Sequence, residues 1–354
     1  MKKNQFRLLG VMSGTSLDGV DVVAVQFDFN STTRYKILHA ATISYDKLWK
    51  QKLSSAVNLQ EEELAHFNFA YTRYLGHILK DFIRKYELKE LDAICSHGHT
   101  VKHEPQNKYT LQIGNLEELA QITGQKVVCD FRVQDVKLGG QGAPLVPVGD
   151  KLLFAEYDYC LNLGGFANIS TEENNQRIAY DLCAVNTVLN YYAEKLGHEY
   201  DEGGKIAASG NLIKALYEQL NSKEYYTAKF PKSLGIEWVN MEIFPLISQF
   251  KNNIPDVLHT YTKHIAFQIS AAVKTSPEAK VLVTGGGAFN DFLMQELRKK
   301  CSAQFVLPSA ALINFKEALI FAFLGALRLR GENNILKSVT GAEKDHSSGV
   351  IFLP

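Results

Sequence analysis

Two apolar runs joined by a polar turn open the chain. Residues 8–12 are apolar, and Val20, Val22, Val23, Val25 and Phe27 are β-branched and aromatic types that pack on a pleated surface. Residues 10–29 therefore predict a β-hairpin, with Gly14, Thr15, Ser16, Leu17, Asp18 and Gly19 at its tip. A third strand over 35–44 makes the opening a meander. Between 60 and 86 the period changes. Leu64, Phe67, Tyr71, Leu75, Ile78 and Phe82 recur at three- and four-residue steps, with acids at 61–63 and bases at 84–85, which predicts a long amphipathic helix. Short strands follow at 91–96, 110–113 and 126–129, with a helix at 116–123.

The pattern breaks at 139–147, GGQGAPLVP, where flexible glycines mix with two prolines, which reads as a domain boundary, an active-site loop or both. Residues 157–170, YDYCLNLGGFANIS, then repeat the opening order of strand, glycine turn and strand, and 177–181 predicts a third strand ending at Asp181. The recurrence predicts two halves of related architecture. Helices are expected at 185–196 and 257–273. A strand at 280–284 runs into Gly285, Gly286 and Gly287, followed by a helix at 290–300. A last helix at 316–330 and a strand at 349–352 close the chain. The expected division puts residues 1–138 with about 328–354 in one lobe and 139–327 in the other.

Composition narrows the field. A chain of 354 residues, 46% of them hydrophobic, is long enough for two cores. Lysine plus arginine and aspartate plus glutamate both total 38, so no net field exists to hold nucleic acid or an anionic membrane. Cys95, Cys129, Cys160, Cys183 and Cys301 form no CxxC pair and read as reduced, mostly core thiols. The longest apolar run, 318–327, is half the roughly 20 residues that span a bilayer. A cytoplasmic protein without nucleic-acid or membrane partners is expected.

The polar turn carries the first candidate chemistry. Its glycines let the backbone approach a bound group, Thr15 and Ser16 offer hydroxyls to phosphate oxygens, and Asp18 can hold Mg²⁺. An ordinary hairpin turn accounts for the same residues equally well. His97, His99 and His103 invite a zinc reading, but no second ligand cluster follows, and a polar substrate loop at a strand end is the stronger one. Arg132, just past a strand, suits a carboxylate or phosphate, or a surface ion pair. Gly285–Gly286–Gly287 would let a ring or phosphate lie on bare backbone at a helix N-terminus. There is no Walker A loop and no GxGxxG, and residues 14–18 match a nucleophile elbow poorly, because the following run is strand-like. Three glycine turns at strand ends with carboxylates nearby fit phosphoryl transfer.

The segments VMSGTSLDGVD (11–21), SHGHTVKHEP (96–105), QIGN (112–115), DFR (130–132), GGQGAPLVP (139–147), NLGGFANIS (162–170), PKSLG (231–235), TGGGAFN (284–290) and KEALIFAFLG (316–325) together resemble the anhydro-N-acetylmuramic acid kinase family, within the actin, hexokinase and Hsp70 superfamily. The resemblance implies an α/β fold of the two-domain actin-like ATPase (ribonuclease H-like) type, with the nucleotide in the interdomain cleft. It implies ATP and Mg²⁺, an anhydrosugar substrate and a homodimer. The implied reaction phosphorylates O6 of 1,6-anhydro-N-acetylmuramic acid while water opens the anhydro bridge. Asp181 matches the family's general base. At an ordinary aspartate pKa of about 3.9 it would be ionised but a modest base. Gly14, Thr15, Ser16, Leu17, Asp18, Gly19, Val20 and Asp21, with Gly164 and Gly165, would bind the ATP phosphates, and Asp18 the metal. Gly285, Gly286 and Gly287 would face adenosine, and Arg132, Asn186 and Glu317 the sugar. The run departs from the family's Asp-Thr-Gly-Pro-Gly-Asn at Leu182, Cys183, Ala184 and Val185, and His99 stands where Gln is common. Those departures leave open a kinase for another 1,6-anhydrosugar such as levoglucosan, or a catalytically silent nucleotide-binding regulator.

Overall fold

The computed structural model describes residues 3–354 apart from Thr15, Ser31, Lys251 and Asn252. Strands β1 Gln5–Ser13, β2 Gly19–Asp28, β3 Arg34–Ser44, β4 Ala93–Glu104, β5 Tyr109–Ile113 and β6 Val127–Cys129 come first. After them come β7 Tyr159–Leu163, β8 Phe166–Glu173, β9 Gln176–Ala184, β10 Lys280–Thr284, β11 Gln304–Val306 and β12 Val350–Phe352. The chain forms two compact units, one of Met1–Leu153 with Phe315–Pro354, the other of Phe154–Asn314.

In the first unit the sheet order is β3-β2-β1-β4-β6-β12, with β5 on β4. The β1–β2 and β2–β3 pairs are antiparallel, while β1–β4 and β4–β6 are parallel. In the second unit the order is β9-β8-β7-β10-β11, again two antiparallel pairs followed by two parallel ones. Each sheet is thus a meander whose first strand pairs in parallel with a later strand, the two related halves expected from the recurring sequence pattern and the ribonuclease H-like plan that the family resemblance implies.

The helix Glu61–Lys85 covers the first sheet. Gln60 and Glu63 form a capping box at its start, and Arg84 and Lys85 lie in its last turn, where the helix dipole favours positive charge. Leu64, Tyr71, Leu75, Leu79 and Phe82 pack with Val11, Val20, Val22 and Ile94. Each such side chain contributes about 1.5–3 kcal/mol on burial. The second core packs Leu161, Ile169, Val281 and Val283 against Val188 and Leu189 of the helix Asn186–Glu194, and Tyr261, Ile265 and Ile269 of Ile254–Ala272. All five cysteines are buried and free.

The structure differs from the sequence reading in three places. Residues 96–104, expected as a loop, continue β4 to Glu104. The segment 139–147 lies inside the first unit instead of at its boundary: Asp135, fully buried, accepts from Gly142 N–H at 2.7 Å and from Thr340 Oγ1 at 2.7 Å, and Gln141 N–H donates to Thr340 O at 2.7 Å. These bonds tie the loop into the first unit, whose first segment ends at Leu153 instead of residue 138. The last helix spans Ala310–Leu329 and departs from helical geometry at Phe315 (φ −119°, ψ 15°), the residue where the chain re-enters the first unit. It is the one helix among the described residues long and apolar enough to cross a membrane, and 72% of its apolar window is buried inside the protein.

Gly10 lets this helix approach, since a Cβ there would overlap the carbonyl oxygen of Ala318. Gly10→Ala should lower stability by about 1–3 kcal/mol, the usual cost of overpacking, read as a shifted denaturation midpoint. A second expectation concerns pH. Burial lowers His99 to about 4 and His264 to about 3, against 6.5 for an ordinary histidine. As pH falls, the unfolded chain binds these protons first, so their contribution to stability is lost from about pH 6.5 down toward pH 4 for His99 and pH 3 for His264. Denaturation midpoints measured between about pH 7 and pH 5 should fall, and more shallowly in His264→Gln.

Candidate active site

β1 and β2 pair as far as Ser13 opposite Val20, which leaves residues 14–18 as the first glycine turn. Leu17 donates its N–H to Gly14 O at 3.4 Å and sits at φ 61°, a left-handed conformation that costs a leucine on the order of 1–3 kcal/mol. Ser16 and Asp18 are exposed and Gly14 is partly exposed, whereas Gly19 and Val20 are buried. The first three can therefore meet a phosphate or its metal, while Val20 belongs to the core. Thr15 lies outside the described residues. Asp21 is partly buried and accepts from Thr42 Oγ1. Burial pushes its carboxyl up, the Thr42 bond opposes the rise, and the charge of Asp18 adds to it. Behind the turn, Ser13 Oγ lies 2.7 Å from Tyr45 Oη and 3.0 Å from His99 Nδ1, and Tyr45 Oη in turn contacts Tyr71 Oη. This buried chain of hydroxyls fixes the residue from which the turn departs.

Arg132 follows β6 in the same unit. Its Nε donates to His97 Nε2 at 2.8 Å and its Nη1 to Gly142 O. His97 Nδ1 lies 2.9 Å from Gly98 O, an acceptor only, so Nδ1 carries the proton and Nε2 offers its lone pair to the guanidinium. Burial drives His97 well below the ordinary histidine range, and the Arg132 charge adds to that. Burial also brings Arg132 down to about 10, opposed by the charges of Glu317 and Asp135. Glu317 is pushed up by burial, pulled down by Lys316 and Arg132, and pushed up further by Asp21 and Asp150. Beside it, Lys316 Nζ and Asp150 Oδ1 form an ion pair at 2.7 Å with both side chains almost fully buried. Arg132, Glu317 and Asp21 thus interact electrostatically in one unit.

The histidine run is accounted for residue by residue: His97 orients Arg132, His99 meets Ser13, and His103 Nδ1 lies 3.0 Å from Thr110 Oγ1. Among the described residues no group of three or more His, Cys, Asp or Glu is arranged to hold a metal ion. The roles of His97 and Lys316 were missed in the sequence, because their partners are far away along the chain.

In the second unit, Asp181 lies on β9 opposite Asn168, but Cys183 lies opposite Ala167, so Leu182 is the extra residue of a β-bulge. Bulges re-aim the side chains beside them. β9 runs on through Ala184, and none of residues 182–185 takes a positive φ. The apolar replacements are strand and core residues. Asp181 Oδ2 accepts from Leu234 N–H at 2.8 Å. Burial pushes the carboxyl up and that bond pulls it back, which leaves a stronger base than an aspartate at its ordinary value.

The carbonyl of Gly165 accepts from Val185 N–H at 2.7 Å and Thr187 N–H at 3.3 Å, and that of Gly164 from Asn186 N–H at 3.2 Å. This turn therefore caps the helix Asn186–Glu194. Asn186 Nδ2 donates to Leu163 O at 3.3 Å. β7 and β10 run parallel with Asn162 opposite Thr284, which places the triple glycine beside the same strand end. Gly285 has φ 82°, and a Cβ there would lie 2.7 Å from the carbonyl carbon of Leu163; at Gly287 it would lie 2.8 Å from Leu163 Cβ. Only Gly286 is open, with Asn186 Nδ2 at 3.7 Å from its Cβ position. Packing thus requires two of the three glycines. They start a short 3-10 helix, Gly286–Phe289, which separates them from the helix Asp291–Lys300, itself capped by Asn290 Oδ1 accepting from Leu293 N–H at 2.9 Å.

The anhydro-N-acetylmuramic acid kinase family model matches residues 6–354. The anhydro-N-acetylmuramic acid kinase of Aliivibrio fischeri is 35% identical over 98% of this chain and 99% of its own length. Those of Sulfurovum sp. and Mannheimia succiniciproducens are 36% and 34% identical, covering 99% and 97% of this chain and 100% and 98% of their own. Among solved structures, the activator of the 2-hydroxyisocaproyl-CoA dehydratase from Clostridium difficile aligns over 91% of this chain and 96% of its own, with 14% identity and a TM-score of 0.45. With a family model that spans almost every residue and relatives that match from end to end, the chain belongs to the anhydro-N-acetylmuramic acid kinase family.

Proposed function

We propose that this protein transfers the γ-phosphoryl group of ATP to O6 of 1,6-anhydro-N-acetylmuramic acid while water opens the anhydro ring, giving N-acetylmuramic acid 6-phosphate and ADP for peptidoglycan recycling in the cytoplasm. The observation that carries the reading is the Asp181 carboxylate: partly buried, raised in basicity, and held through Oδ2, with no hydrogen-bond partner for Oδ1 among the described residues. Oδ1 takes a proton from water, the water oxygen attacks C1, and the C1–O6 bond breaks. O6 receives the phosphoryl group and ADP leaves. Positioning and charge neutralisation supply most of the rate in such transfers.

Gly14, Ser16 and Asp18 meet the phosphates, with Leu17, Gly19, Val20 and Asp21 shaping the turn, the motif assigns the Thr15 hydroxyl to the phosphates as well, and Gly164 and Gly165 serve the second unit's side. Gly286 offers bare backbone to adenosine, while Gly285 and Gly287 shape its approach. Arg132, oriented by His97, and Glu317 hold the sugar, and Asn186 completes its site. One exposed carboxylate, Asp18, without a cage of further acids suits a Mg²⁺ ion that keeps waters and phosphate oxygens as its other ligands, and such an ion would neutralise phosphate charge. The resemblance also supports a homodimer, expected as twice the chain mass in sedimentation.

The direct test measures sugar-dependent ADP release with 1,6-anhydro-N-acetylmuramic acid, ATP and Mg²⁺, and assays the product for a reducing end. Sugar-dependent ADP with a reducing 6-phosphate is expected, and ADP release with levoglucosan alone would move the substrate assignment. Asp181→Asn should lose roughly 10²- to 10⁴-fold in kcat, the range for a general base, with nucleotide binding intact. Glu317→Gln should raise KM for the sugar about tenfold, as loss of one charge-assisted hydrogen bond does, and leave KM for ATP unchanged.

A further inference from the structure

We infer that the segment 225–234 is a clamp that aims the Asp181 carboxylate, with Tyr225 and the Leu234 N–H as positioning groups. The inference rests on Asp181 being the base. β9 is the edge strand of its sheet, and the bulge at Leu182 interrupts its ladder with β8 beside the aspartate. Strand pairing alone therefore fixes Asp181 poorly. The segment 225–234 runs along the open edge and supplies what is missing. Asp181 N–H donates to Lys232 O at 3.2 Å, Tyr225 Oη donates to Asp181 O at 2.8 Å, and Leu234 N–H donates to Oδ2 at 2.8 Å. Two bonds hold the backbone and the third sets the plane of the carboxylate, which leaves Oδ1 to face a water.

The clamp is closed on itself. Lys232 Nζ donates to Tyr225 O at 3.1 Å and to Tyr226 O at 3.5 Å, and it lies 4.7 Å from the Tyr225 ring centroid and 5.9 Å from that of Tyr180. It is anchored to the second core, where Tyr226 Oη lies 3.0 Å from Nε2 of the buried His264. This gives the PKSLG run at 231–235 a purpose that its composition does not reveal. Its working part is a backbone N–H at position 234, so many side chains fit there but proline does not.

The titratable groups around Asp181 are Tyr225, Cys183 and Lys232. Burial pushes Tyr225 and Cys183 up, helped by the Asp181 charge, and pushes Lys232 down. Of the groups around Asp181, its own carboxylate is therefore the one whose protonation shapes an acid limb of kcat. The Leu234 bond lowers the aspartate's pKa, so its loss moves that limb to higher pH.

The experiment compares Tyr225→Phe, Leu234→Pro and Asp181→Asn, each checked for folding by circular dichroism, for kcat, KM for ATP and the pH profile of kcat. The expected result is a kcat lowered roughly 10- to 100-fold in the first two, the cost of a misplaced group, with KM for ATP unchanged and the acid limb of Leu234→Pro displaced upward. Folded variants with parental kcat and an unmoved acid limb would overturn the clamp while Asp181→Asn still marks the base. A kcat loss matched by an equal loss of ATP affinity would overturn it too, as the sign of a general structural role. If Leu234→Pro does not fold, Tyr225→Phe and Lys232→Met decide by kcat against KM. An active Asp181→Asn removes the base assignment, and the clamp with it.

Discussion

Parallel pairing at the centre of each sheet is the constraint on which the candidate site depends. Because β1 runs with β4 and β6, the turn after Ser13, the His97–His99 stretch and Arg132 gather at one edge of the first sheet. Because β7 runs with β10, and β9 is antiparallel to β8 as β8 is to β7, the turn after Leu163, the triple glycine and Asp181 gather at the matching edge of the second. Carboxyl-terminal strand ends are where open α/β sheets present backbone N–H groups and loop side chains to ligands. A meander closed by antiparallel pairs alone would send alternate turns to opposite edges.

At those edges burial sets the chemistry. It favours uncharged forms, so it raises Asp21, Asp181 and Glu317, lowers Arg132 and keeps His97 neutral. What keeps a buried charge is a partner, as Lys316 and Asp150 illustrate for each other. Truncating one member of such a pair costs more than the pair contributes, because the survivor is left charged and unsolvated. Glu317, proposed as a sugar ligand, adjoins this pair and feels the charge of both its members.

Elements with a long, clean period were legible in the sequence: the helix Glu61–Lys85, the opening meander, and its repetition at 157–181. β4 was not, because Ser96, His97, Gly98 and His99 read as a polar loop. All four are buried, and His97 and His99 are satisfied by Arg132 and Ser13, at separations a local pattern cannot register. The glycines at 139–142 read as a domain boundary because the carboxylate that holds them, Asp135, shows no signature in sequence. The roles proposed for Arg132, Glu317 and Asp181 came from the family resemblance. Their altered basicities could not be read there, since burial is a property of the folded neighbours.

The chain enters the second unit at Phe154 and leaves it at Asn314, so one unit is inserted within the other. This order has a consequence during synthesis. The inserted unit is contiguous and can finish folding as soon as its last residues leave the ribosome, as domains generally do. The first unit cannot, since Gly10 needs Ala318, Asp135 needs Thr340 and β6 needs β12. The turn at 14–18, which precedes all of these partners in the chain, therefore acquires its finished support only after residues 318–352 have been made.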